Sequence, residues 1–182
     1  MIMKPTQGFT LVETMVAIAI IAISIVGPLY ALEKGVIASY AARDKLAASA
    51  LAQEGLEYVH AIRDNNYLYN LSGPPSLRPW FYRLDGNGGP NCTNGASCVI
   101  DAVYDTRTVC SQTCPVLRRS TTGVYNQAAI TSSNTASRFT RSVKLTPVGA
   151  GNREMQVTVT VSWKTGAVNY SVSVSENLQD WL

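Results

Sequence analysis

Hydrophobic and polar positions follow three different rules along this chain. From Phe9 to Leu32 almost every residue is apolar or small and only Glu13 is charged, so the run reads as a helix that is apolar all round. A helix over 9–32 would be about 36 Å long at ~1.5 Å per residue, enough to span a hydrocarbon core of ~30 Å. From Glu33 to about Asn66 proline is absent and alanine is frequent. There Val36, Tyr40, Ala47, Leu51, Tyr58 and Ile62 return to one side of a helix while Lys45, Gln53, Glu57 and Arg63 point elsewhere. The helix is therefore predicted to continue as an amphipathic rod over 33–70, with that stripe as a core face.

Near the other end the period changes from 3.6 to two. Met155, Val157, Val159, Val161 and Trp163 alternate with Gln156, Thr158, Thr160 and Ser162, and Val168, Tyr170, Val172 and Val174 alternate with Asn169, Ser171 and Ser173. Two half-buried strands are predicted, joined at Lys164–Ala167 (KTGA), which has the length and the glycine of a hairpin loop. Their apolar face should cover the Val36–Ile62 stripe. Phe139, Val143 and Leu145 suggest another strand before Pro147, and the stretch from Val99 to Val109 a further one. "LSGPPS", Leu71–Ser76, should stop the helix and open a β-rich domain over 71–182, whose last residues, "QDWL" (Gln179–Leu182), form an apolar anchor. The fold class is α+β, a long N-terminal helix packed on an antiparallel sheet.

Composition adds little beyond this. Fifteen Lys and Arg against twelve Asp and Glu give +3, too few and too scattered to mark a nucleic-acid surface. The four cysteines say more. Cys92, Cys98, Cys110 and Cys114 lie among Gly, Asn, Ser and Thr, the pattern of a loop stapled by disulfides in an oxidising compartment. Three pairings remain open. Zinc is the rival reading, although C-x5-C departs from usual knuckle spacing. Calcium at Asp85, Asn87 and Asn91 would need more oxygen ligands than this stretch offers, and Asn91-Cys92-Thr93 fits a glycosylation sequon in form. No cofactor is implied.

Glu13 is the residue that needs a reason. A charged side chain at membrane depth costs at least ~2.5–3.5 kcal/mol on insertion scales, and a helix N-terminus returns only ~0.3–1 kcal/mol. A counter-charge is therefore expected; the alternative is that Glu13 caps its own helix among head groups. "QGFTLVETMVAIAII" resembles the leader and first helix of type IV pilins and type II secretion pseudopilins. A conventional signal peptide, cut after the apolar run, is the competing expectation.

The resemblance covers 8–32 closely, reaches "LAQEGLEYVHAIRDNNY" (Leu51–Tyr67) more weakly, and is architectural beyond. It implies a leader over 1–8, cut by a prepilin peptidase between Gly8 and Phe9, and N-methylation of Phe9. It implies a helix held in the inner membrane with the globular domain outside the cytoplasm, and then a filament in which Glu13 meets the Phe9 amine of a neighbouring subunit. The partners implied are other pilin or pseudopilin subunits, the peptidase and the inner-membrane assembly platform. The leader departs from the usual pattern, with Pro5, Thr6 and Gln7 where a basic residue often precedes the glycine. Cysteines in mid-chain rather than near the C-terminus point to a minor pilin or pseudopilin. Gly27 and Pro28 interrupt the helix and should kink or loosen it.

Outside this segment the candidates are few. Trp80, Phe81 and Tyr82 with the Cys-rich loop could form a binding surface, and Arg118, Arg119, Arg138 and Arg141 a basic patch for nucleic acid. His60, the one histidine, is read as a solvated helix residue. No catalytic set is visible, so an enzyme is not expected.

Overall fold

The computed structural model describes residues 8–127, 134–149, 151 and 153–180. The leader ahead of Gly8 and the Trp181–Leu182 end of the apolar anchor lie outside the described residues. One helix, α1, runs from Leu11 to Leu71. Seven strands follow: β1 Ser97–Asp101, β2 Thr106–Val109, β3 Val116–Ser120, β4 Tyr125–Asn126, β5 Asn134–Pro147, β6 Glu154–Thr165 and β7 Val168–Gln179. The chain divides between Asp44 and Lys45 into two compact units, so α1 contributes to both.

The helix ends where Gly73 takes φ 71°. Ser72 N–H donates to Leu68 O at 3.2 Å and Gly73 N–H to Asn70 O at 3.3 Å, closing the last carbonyls around a left-handed glycine before two prolines that cannot extend the helix. One turn earlier, two asparagines fasten the helix to the loop that follows. Asn66 Nδ2 donates to Trp80 O at 3.1 Å and Tyr82 O at 3.2 Å. Asn70 donates to Arg78 O and accepts from Arg78 N–H, both at 2.8 Å.

All strand pairs are antiparallel. β7 lies beside β6, and β6 beside β5. The other edge of β5 is shared: β3 pairs with its first part from Ser120↔Asn134 to Val116↔Thr140, and β1 with its last part at Cys98↔Val143 and Ser97↔Lys144. A strand of 14 residues has room for both. β4 then flanks β3, and β2 flanks β1. The β6–β7 hairpin turns at Gly166, φ 61°, as KTGA predicted.

Register sets the core. Val143, Val159 and Val174 form one row and Phe139, Trp163 and Tyr170 another, and their inner face packs on Ala48, Leu51, Ala52, Leu56, Val59 and Ile62 of α1. The approach is close. A Cβ added at Gly55 would sit 3.0 Å from Val159 Cγ1 and 3.1 Å from Arg141 Cδ.

Two expectations are corrected here. Val36 and Tyr40, assigned to the core stripe, are 54% and 58% exposed, and the buried face begins only at Ala48. Periodicity identifies a face, whereas the length that is covered depends on the extent of the sheet. The single strand expected over Val99–Val109 is a hairpin, β1 and β2. Asp101 breaks it: its Oδ1 accepts from Val103 N–H at 2.9 Å and Tyr104 N–H at 3.3 Å, the local bonding that turns a chain at aspartate, and Asp105 completes the turn at φ 52°.

Candidate functional site

The N-terminal half of α1 begins with a cap that the sequence reading passed over. Thr10 Oγ1 accepts from Glu13 N–H at 3.3 Å and Thr10 O from Thr14 N–H at 3.2 Å, so Thr10-Leu11-Val12-Glu13 has the T-x-x-E spacing of a capping box. Glu13 thus stands in the first helical turn, where the positive end of the dipole favours an anion. Among the described residues its carboxylate has no hydrogen-bond or ion-pair partner.

Beyond Glu13 the helix presents apolar side chains in every direction. Leu11, Ile18 and Ile23 are each more than 65% exposed, and the most apolar window of the helix is wholly unburied within the chain. This helix is long and apolar enough to cross a membrane. Two of its hydroxyls bond within the helix: Thr14 Oγ1 donates to Leu11 O at 2.8 Å and Ser24 Oγ to Ile20 O at 2.7 Å, an arrangement that suits a lipid environment. Gly27 and Pro28 lie inside α1, which stays helical through both. Pro28 supplies no N–H to the Ser24 carbonyl, and a Cβ at Gly27 would touch nothing within 4 Å. Gly8 and Phe9 precede the first helical residue. Tyr30 with Lys34 at 5.2 Å and Tyr40 with Arg43 at 5.3 Å form amphipathic pairs of the kind that suit a membrane–water boundary.

The globular unit rearranges the remaining candidates. Arg141 leaves the basic patch altogether: it is 1% exposed and lies under α1, donating from Nη1 to Leu51 O and Glu54 Oε1, both at 3.1 Å, and from Nη2 to Ile100 O at 2.9 Å. The signal was present, since Arg141 falls between Phe139 and Val143 in the period-two row that faces inward. Phe81 is likewise core, 2% exposed, and Trp80 packs against that core, so the aromatic trio offers no common surface. His60 is not a free solvated side chain; its Nε2 stands 3.4 Å from Glu176 Oε2 on β7.

A polar cluster stitches α1 to the β1–β2 hairpin. Tyr58 OH donates to Asp105 Oδ1 and accepts from Arg107 Nη2 at 2.7 Å, while Arg83 reaches Asp105 Oδ2 at 2.9 Å. Burial, followed by the hydrogen bond to Asp105, pushes the Tyr58 hydroxyl up to about 12. For Asp105, burial acts upward but the Tyr58 and Arg83 hydrogen bonds and the Arg107 charge outweigh it and hold the carboxyl below its usual range.

The cysteines pair in sequence order, Cys92–Cys98 and Cys110–Cys114, which settles the three open pairings and removes the thiolates that zinc would require. Cys92 and Cys98 are fully buried. Asp85 spends both carboxylate oxygens on Asn87, at 3.0 Å each, and so shapes its own turn.

Residues 3–27 match the family described as the prokaryotic N-terminal methylation motif. No curated protein and no solved structure matches the chain. The matched segment spans Gly8, Phe9, Glu13 and Gly27, ends one residue before Pro28, and takes in the first part of the long helix whose later part packs on an antiparallel sheet; it supports the type IV pilin and pseudopilin family for this chain.

Proposed function

We propose that this protein is a minor pilin or pseudopilin, a structural subunit rather than an enzyme. It is held in the inner membrane by α1 with the disulfide-bonded domain outside the cytoplasm. Prepilin peptidase cuts between Gly8 and Phe9, and the new Phe9 amine is methylated. An assembly platform then draws the subunit into a filament whose core is the bundled apolar helices. The observation that carries this reading is the N-terminal part of α1, whose apolar window is wholly unburied and whose one carboxylate, Glu13, has no partner among the described residues. Neighbouring helices answer both needs at once, covering the apolar surface and bringing a Phe9 amine to Glu13, so that the charge acts as a register pin.

Mass spectrometry of the mature N-terminus tests the processing step. N-methylphenylalanine at position 9 is expected; a start near residue 32 would indicate an ordinary signal peptide and end the proposal. Filament incorporation of Glu13→Ala tests assembly. A subunit that anchors without polymerising would show the same level for both forms.

A further inference from the structure

Among the edge strands of the sheet β7 is the longest. It has twelve residues, Val168–Gln179, and among the described residues it pairs only with β6, whereas the opposite side of the sheet ends in β2 and β4, of four and two residues. Edge strands are ordinarily blunted by lysine, proline, a bulge or shortness, because their unpaired main-chain groups invite another strand. β7 has none of these devices. It contains no lysine, arginine or proline, and its register with β6 runs without a shift over twelve pairs, from Thr165↔Val168 to Glu154↔Gln179.

The hairpin fixes which groups point away from β6. Gly166 and Ala167 link the two strands, Gly166 at φ 61°, so Thr165 and Val168 are the first and last residues of a tight turn and face each other as a hydrogen-bonded pair. Antiparallel strands alternate bonded with non-bonded pairs. Asn169, Ser171, Ser173, Ser175 and Asn177 therefore direct their N–H and C=O groups toward the free edge.

The inner face says what kind of strand fits there. Tyr170, Val172 and Val174 pair with Trp163, Val161 and Val159 of β6, all buried. Yet Tyr170 is 45% exposed, Val172 and Val174 are only partly buried, and Val168 is 53% exposed. The apolar cover that α1 gives the sheet thus stops short of β7. One charge stands on this side of the strand, Glu176, whose side chain is 47% exposed with His60 Nε2 3.4 Å from its Oε2.

We propose that the β7 edge accepts an extended segment of another protein as an eighth strand. The incoming main chain pairs with the N–H and C=O groups of Asn169, Ser171, Ser173 and Ser175, every second side chain is apolar and continues the Tyr170, Val172 and Val174 face, and a lysine or arginine on that side meets Glu176. The recognised segment is a strand of alternating apolar and polar residues with one cation. The inference concerns the globular unit and holds whether or not α1 enters a filament.

The test titrates the full chain, in detergent micelles, with a labelled ten-residue peptide that alternates valine and threonine and has lysine in place of one valine. This peptide should bind, and the same peptide with proline at a central threonine should bind tenfold or more weakly, since proline has no N–H to add to a ladder. On the protein, Ser171→Pro removes an edge N–H that β6 does not use and should weaken binding to the same degree with the circular dichroism unchanged. Glu176→Lys should reverse the charge preference, so that a peptide with glutamate in place of its lysine becomes the tighter ligand; this readout does not need proline to be tolerated in β7. No binding of the lysine peptide, or binding indifferent to both Ser171→Pro and Glu176→Lys, would overturn the proposal. Self-association of the peptide-free chain that Ser171→Pro abolishes would give the edge to a second copy and overturn it as well.

Discussion

At Gly27 an added methyl group would meet nothing within 4 Å, whereas at Gly55 the same atom would lie 3.0 Å from Val159 Cγ1 and 3.1 Å from Arg141 Cδ. Both glycines belong to one uninterrupted helix, and neither is favoured there by propensity, since glycine costs ~1 kcal/mol against alanine in a helix interior. At Gly55 the reason lies within the chain: the sheet and the buried Arg141 side chain occupy the space a larger residue would need. At Gly27 the described residues supply no such reason. The same contrast holds for charge. Arg141 is buried and its guanidinium bonds two carbonyl oxygens and a carboxylate, whereas Glu13 finds no partner among the described residues. One half of α1 is complete as folded. The other half presents apolar side chains and one carboxylate that no described residue covers, and the proposed membrane and filament neighbours are what would answer them.

The sharpest way to break this comparison is to fill both glycines. Gly55→Leu should destabilise the globular unit by about 2 kcal/mol, an overpacking penalty of up to ~3 kcal/mol less a gain of about 1 kcal/mol in helix propensity, read as a lower midpoint in denaturant. Gly27→Leu should leave that midpoint within about 0.5 kcal/mol. Equal effects would mean that the N-terminal half also packs within the chain. Glu13→Ala should likewise leave the midpoint unchanged but lower filament incorporation about tenfold or more, as losing an interaction that offsets part of a ~2.5–3.5 kcal/mol insertion cost implies.

The two disulfides sharpen the picture inside the globular unit. Closing loops with sequence separations of 6 and 4 should contribute about 2 kcal/mol each through the unfolded chain. Cys92 and Cys98 are also buried core, so replacing both by Ala should cost about 3 kcal/mol against about 2 for Cys110 and Cys114, measured by thermal unfolding.

The smallest effect is a pH dependence confined to the globular unit. Well below pH 10 Tyr58 is neutral whether the chain is folded or not. Between 10 and about 12 the unfolded chain loses the proton first, so stability should fall with rising pH across that window. Asp105 acts at the other end, with a folded value held low by its partners. Its contribution is complete above the ordinary carboxylate range and is lost as pH falls through the depressed value. Tyr58→Phe should flatten the alkaline slope in pH-jump unfolding experiments.

Periodicity located α1, β6 and β7 well, because burying one face of a regular element imposes a repeat on its residues. It misjudged extent and partners. Val36 and Tyr40 share the helical phase of Leu51 and Ile62 but lie beyond the covered stretch. Residue type and neighbours place Arg141 and Phe81 on the surface, although the alternation along β5 turns Arg141 inward. Thr10 is legible as a cap from its spacing to Glu13 alone. His60 reads as solvated from the sequence because nothing near it in the chain announces Glu176.

The amino-acid order alone determined the long helix, the apolar segment with its single carboxylate, the methylation motif and the alternating strands that form the β6–β7 hairpin. These depend on neighbours a few residues apart, and local sterics and solvent preference act at that range. Tertiary structure decided the pairing of the four cysteines, the burial of Arg141 beneath α1, the point where the core stripe begins, and the meeting of Tyr58 with Asp105 and Arg107. Each of these depends on segments that only folding brings together, and no spacing along the chain encodes which of them will touch.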